Sequence, residues 1–158
     1  MAGKTKLQLE YIMNCSPKVL FNRLSTAAGL TEWFADDVRV KGNLFTFVWG
    51  DSDQVAEKKN HRENKSVRFE WVDEDLEKEE SYFEFMITQD DLTYDVSLLV
   101  IDFADEDEAK QTIELWNSQI LKLKQLLGSY KIFHFHVRTN FPVLNLRVKP
   151  ICQIIIDG

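Results

Sequence analysis

The chain lacks three things that would decide its class early: a long apolar run, a cysteine framework and an excess of positive charge. No stretch of its 158 residues approaches the roughly 20 apolar residues that a membrane-spanning helix needs. The beginning, MAGKTKLQLEY, has no apolar segment of the kind a signal peptide carries, so the expectation is a cytoplasmic protein. Cys15 and Cys152 lie far apart, and a chain of this size buries enough core without a disulfide; free thiols are expected. A formal net charge of −7 leaves no basic surplus for nucleic acid or an anionic membrane surface, and neither is expected as a partner.

Signatures of catalysis are equally sparse. There is no glycine-rich phosphate loop. Histidine occurs three times: His61 in a polar stretch, and His134 and His136 at a spacing of two. That spacing would set both on one side of a strand, as metal ligands can be, but no third ligand accompanies them. No histidine stands in a nucleophile motif with serine or cysteine. The acid pairs Asp36-Asp37 and Asp90-Asp91 fall at turns, where solvated carboxylates are ordinary. No metal, no cofactor and no catalytic residue are expected.

What the chain does have is periodicity. Hydrophobic residues at 44% and charged residues at 28% suit one globular core. Leu7, Leu9, Tyr11 and Met13 alternate with Lys6, Gln8 and Glu10, which reads as a half-buried first strand. Ser16-Pro17 supplies an N-cap and a first helical position for a short helix through Leu24. A second short helix is expected over Thr26 to Phe34, weakened at Gly29 by up to about 1 kcal/mol relative to alanine.

Strand follows strand from Asp37 to Asp102. After the Gly42-Asn43 turn, Phe45, Phe47 and Trp49 share a face. A weak strand near Gln54 to Lys58 leads into a solvated loop, and Val67, Phe69 and Trp71 then share the next face. Beyond the acidic connector DEDLEKEE come Phe83, Phe85 and Ile87, and after TQDD come Tyr94, Val96, Leu98 and Val100. These connections are too short for crossover helices, so the strands form an antiparallel meander. Asp105 and Glu108 then offer a capping box. The long helix behind it carries Ala109, Ile113, Trp116, Ile120, Leu123 and Leu127 at spacings of three and four, and Gly128 is placed to end it.

Several phrases carry a family likeness. SPKVLFNRLSTAAGLTEWFADDV resembles the opening of START-like proteins related to the activator of heat-shock protein 90 ATPase. SVRFEWV resembles that family's strand ending in Trp, and TIELWNSQILKLKQLLG its closing helix with an internal Trp. The resemblance covers roughly residues 4 to 128. It implies an α+β helix-grip fold: a curved antiparallel sheet wrapped around a long C-terminal helix, two short helices after the first strand, and room for a cavity between sheet and helix. It transfers no catalytic residue, because the superfamily holds lipid carriers, hormone receptors, cyclases and co-chaperones.

Three functional readings follow from the resemblance. The leading one is a non-enzymatic domain, monomer or weak dimer, that binds a small hydrophobic or amphipathic ligand in the cavity. The second is a co-chaperone-like interaction module whose acidic surface meets a chaperone. The third is a cyclase- or hydrolase-like enzyme using the same cavity. The candidate cavity residues are Trp33, Phe34, Phe45, Phe47, Trp49, Phe69, Trp71, Phe83, Phe85, Trp116 and Ile120. Aromatics at such spacings ordinarily fill a core, and they can equally line an apolar pocket; the sequence leaves both open. Trp33 and Phe34 are expected to anchor the joint between the second helix and the next strand.

The START-like domain is expected over residues 1–130, with residues 131–158 as a C-terminal extension. That extension carries four basic residues against one acidic, a charge of +3, so the residues before it hold −10 and the whole chain −7. It has no counterpart in the family, and either pairs as a strand through the β-prone QIIIDG or stands outside the fold.

Overall fold

The alternating start of the chain builds β1 (Lys4–Met13), whose Leu7, Leu9, Tyr11 and Met13 are all buried. The computed structural model describes residues 4–72 and 81–128. The acidic connector 73–80 and the extension 131–158, with His134, His136 and Cys152, lie outside the described residues.

Ser16 caps α1 (Pro17–Ser25) by accepting from the Val19 N–H at 3.3 Å, with Pro17 at the first helical position. Thr26 caps α2 (Ala27–Thr31) through its bond from the Gly29 N–H at 3.0 Å. This helix is shorter than its sequence suggests. After Thr31 the chain tightens, and the N–H groups of Phe34 and Ala35 both point to the Leu30 carbonyl at 2.8 and 3.2 Å. Gly29 is also no weak point: a Cβ there would lie 2.5 Å from the Asn22 carbonyl oxygen and 2.7 Å from the Arg23 Cα. The two helices approach so closely that only glycine fits.

The strands β2 (Asp37–Lys41), β3 (Leu44–Trp49), β4 (Ser52–Arg62), β5 (Ser66–Trp71), β6 (Tyr82–Gln89) and β7 (Val96–Asp105) follow. They make one antiparallel sheet in the order β1-β7-β6-β5-β4-β3-β2, with β1 closing against β7. The long helix α3 (Ala109–Leu126) lies on its inner face, and Gly128 at φ 65° ends it. This is the α+β helix-grip architecture.

Three further local expectations fail. β4 is an 11-residue strand where a short strand and a loop are expected; it continues through a register shift between Lys59 and Arg62, with Asn60 at φ 45°. Asparagine tolerates that left-handed conformation, which most residues avoid. Tyr94 belongs to no strand: it sits in the β6–β7 turn at φ 60° and is 72% exposed. Asp90 organises that turn by accepting from the N–H groups of Leu92 and Thr93 at 2.8 and 2.9 Å. The capping box also does not form. Asp105 ends β7, and Glu108 occupies the N-cap position of α3 without a side-chain cap bond.

Candidate functional site

Trp33 and Phe34 follow α2 directly and turn into the core, 3% and 5% exposed. The Trp33 indole N–H donates to the Arg23 carbonyl at 2.9 Å, which fixes α1 to the joint. The Phe34 carbonyl accepts from Trp49 Nε1 at 2.8 Å and from Gln119 Nε2 at 3.1 Å. One backbone oxygen thus ties the end of α2 to β3 and to α3. Asp36, next along, is more than a solvated turn residue: its carboxylate accepts the Gly50 N–H at 2.7 Å and locks the β3–β4 hairpin. Asp37 begins β2 and pairs with Arg39 at 3.1 Å on the surface.

The Phe34 ring is the centre of the aromatic layer. Trp33, Phe47, Trp49, Phe83, Phe85 and Trp116 surround it at centroid distances of 5.1 to 6.4 Å. Phe69 stacks on Phe83 at 5.0 Å and meets Phe45 edge-on at 5.2 Å. Ile120 is fully buried in the same cluster. The candidate residues are therefore brought together in one packed layer between sheet and α3. Tyr11 anchors α3 from the opposite edge: its hydroxyl donates to Asn117 Oδ1 at 2.8 Å, and burial pushes that hydroxyl far above its ordinary pKa.

A cleft of about 600 Å³ opens at one rim of the sheet, where β4 and β6 begin and β5 and β7 end. Among the candidates it is lined by Trp71, whose ring packs on Phe83 at 5.0 Å and Phe47 at 6.0 Å. Tyr82, Phe103, Val55 and Val72 supply further apolar wall, and Lys4, Asp53, Gln54 and Asp102 bring polar groups.

Asp102 is the functional candidate that sequence reading passes over. One carboxylate oxygen accepts from Trp116 Nε1 at 2.8 Å, the other from its neighbour's N–H, Phe103, at 2.8 Å. It thus joins the cleft to the aromatic layer. A signal was present: Val96, Leu98, Val100 and Asp102 keep one period-two face, so the aspartate follows three apolar residues inward.

Burial raises the Asp102 pKa against three opposing influences, the Trp116 and Phe103 hydrogen bonds and the Lys4 charge. The folded chain therefore holds this proton at pH values where the unfolded chain has released it. The stability Asp102 contributes is present below the ordinary carboxylate pKa of about 4 and is lost as pH rises through the raised folded value. Asp102→Asn should remove that dependence. Urea midpoints of the two proteins are expected to shift in the variant's favour as pH rises from the acid range toward neutrality, and a constant difference would contradict the assignment.

Elsewhere, His61 is exposed on β4 with its ring against Phe21 at 5.1 Å, and Cys15 is a free, half-buried thiol whose pKa burial raises. Among the described residues, no group of three His, Cys, Asp or Glu side chains is arranged to hold a metal, and no helix is long and apolar enough to cross a membrane.

The family model of the START-like superfamily domain matches residues 1–129. A solution structure of a Bacteroides fragilis protein is 36% identical and has a TM-score of 0.57, with 85% of this chain and 98% of that one covered. The solution structure of the Aha1 dimer from Colwellia psychrerythraea is 16% identical with a TM-score of 0.67, over 78% of this chain and 96% of that one. A crystal structure from Mesorhizobium loti is 18% identical with a TM-score of 0.64, over 80% and 99%. At those last two identities the likeness is one of fold. A comparison with curated proteins returns no match.

Proposed function

Since the chain belongs to the START-like superfamily, we propose that it is a non-enzymatic binding domain that takes a small amphipathic ligand at the rim of the helix-grip sheet. The observation that carries this reading is the cleft of about 600 Å³ between Trp71, Tyr82 and Phe103. Its volume falls in the usual range for ligand sites, about 300 to 1,000 Å³, and the polar side chains Lys4, Asp53, Gln54, Ser81 and Asp102 beside Trp71, Tyr82 and Phe103 suit a ligand that is itself partly polar. The layer of candidate aromatics, closely packed around Phe34, serves as the rigid wall behind Trp71. Residues 1–130 form the binding unit, and the extension is dispensable for it.

A co-chaperone-like interaction module is the second reading. It draws on the β6–β7 turn, where Leu92 is 90% exposed and Tyr94 72% exposed. A partner docking on this turn would take both side chains out of water.

Native mass spectrometry of the protein purified from its host separates the two. A retained adduct of small-molecule mass that disappears on unfolding is the expected result. A bare mass, together with binding to a chaperone that Leu92→Ser and Tyr94→Ser abolish, would replace the first reading with the second.

A further inference from the structure

We infer that the rim cleft selects a small organic cation, a protonated amine with an aromatic or alkyl body, and that Asp102 is its charge partner. This inference rests on the binding reading above and specifies the ligand class. Three observations lead to it.

Among the described residues, the charged side chains of the lining are Asp53 and Asp102 against Lys4, a bias toward a positive ligand. The donors to Asp102 are both neutral, the Trp116 indole and the Phe103 backbone N–H. They fix the orientation of the carboxylate without pairing its charge, and Lys4 acts on it only through its charge, not through an ion pair. Among the described residues no Lys, Arg or His lies within 4.0 Å of it. A carboxylate offers about four acceptor positions, so two neutral bonds leave capacity for an ammonium donor. Partial burial lowers the local dielectric and makes a bound opposite charge worth more than at an open surface.

The aromatic wall completes the fit. Tyr82 is already engaged, with the Arg68 guanidinium 4.0 Å over its ring and Phe103 edge-on at 4.9 Å. Trp71, by contrast, turns one side to Phe83 and Phe47 and borders the cleft. Indole is the aromatic side chain that attracts cations most strongly. An anionic ligand would meet two carboxylates here, and a neutral one would leave Asp102 unused.

Titration calorimetry at neutral pH with 2-phenylethylamine and its neutral counterpart 2-phenylethanol tests the assignment. The amine is expected to bind about tenfold tighter or more, the scale of one charge-assisted hydrogen bond. Asp102→Asn should abolish the amine's advantage over the alcohol. Lys4→Gln, an independent variant at the exposed start of β1, should tighten the amine alone by removing a competing cation. Equal affinities in the wild type, or an amine preference that survives Asp102→Asn, overturns the cation assignment while binding of the alcohol keeps the binding reading intact. Saturable binding of neither compound overturns both.

Discussion

Phe34→Ala should cost the protein about 3–5 kcal/mol of unfolding free energy, the range for removing a fully packed phenylalanine. A domain of this kind holds about 5–15 kcal/mol in all, so this single truncation removes a large share of it. For a chain of this length the melting temperature should fall by about 2–4 °C per kcal/mol. The reason for the size is geometric. Trp33, Phe47, Trp49, Phe83, Phe85 and Trp116 all rest on the Phe34 ring. They are held on β3, β6, α3 and the turn after α2, so the layer cannot collapse into the hole without moving secondary structure. The Phe34 carbonyl bonds to Trp49 and Gln119 would then be strained as well. Leu92→Ala, at a side chain 90% exposed, is the control and should stay within about 0.5 kcal/mol. Denaturant midpoints decide the matter; a loss at Phe34 no larger than that at Leu92 would mean the layer is loosely packed.

Gly29→Ala is the second large effect, and its sign is the informative part. Helix propensity alone favours alanine here by up to about 1 kcal/mol. The added methyl group would meet the Asn22 carbonyl oxygen at 2.5 Å, the Arg23 Cα at 2.7 Å and the Thr26 hydroxyl at 2.8 Å. Two of those are backbone atoms of α1 that cannot swing aside. Overpacking of this kind costs about 1–3 kcal/mol and sometimes more, so the variant should be less stable. An unchanged or raised urea midpoint would show that α1 and α2 separate easily. The Arg23–Glu32 ion pair and the Trp33 bond to the Arg23 carbonyl argue that they do not.

Most core-facing residues were legible because alternation leaves little choice. Phe45, Phe47 and Trp49, or Phe83, Phe85 and Ile87, cannot be buried in a strand except on one face, and the stripe from Ala109 to Leu123 fits one side of a helix. The second half of β4 was illegible for the same reason in reverse: Lys58 to Arg62 is polar on both faces, so no period marks it, and the positive φ of Asn60 hides the register shift. Tyr94 extended the apolar alternation of β7 in sequence, while the Asx turn at Asp90 claims it in space. The close approach at Gly29 depends on the crossing of two helices, which no local pattern encodes.

The candidate site divides similarly. The aromatic layer could be assembled on paper from strand faces and helix spacing. Its packing around Phe34 could not, because whether rings touch or stand apart is a matter of tenths of an ångström. The cleft draws Lys4, Asp53, Trp71, Tyr82 and Asp102 from the ends of five strands. Its members meet only through the register of the whole meander.

The central claim is that ligand binds at the rim beside Trp71. Indole N–H resonances test it most directly, because the four tryptophans report from different places. Trp33 and Trp49 donate to backbone carbonyls at the α2 joint, Trp116 donates to Asp102 behind the cleft, and Trp71 lines the cleft itself. Titration with 2-phenylethanol should move the Trp71 signal saturably and leave Trp33 and Trp49 in place, and titration with 2-phenylethylamine should move Trp116 as well. Movement of Trp33 and Trp49 with Trp71 unmoved would place the ligand elsewhere in the fold and contradict the account.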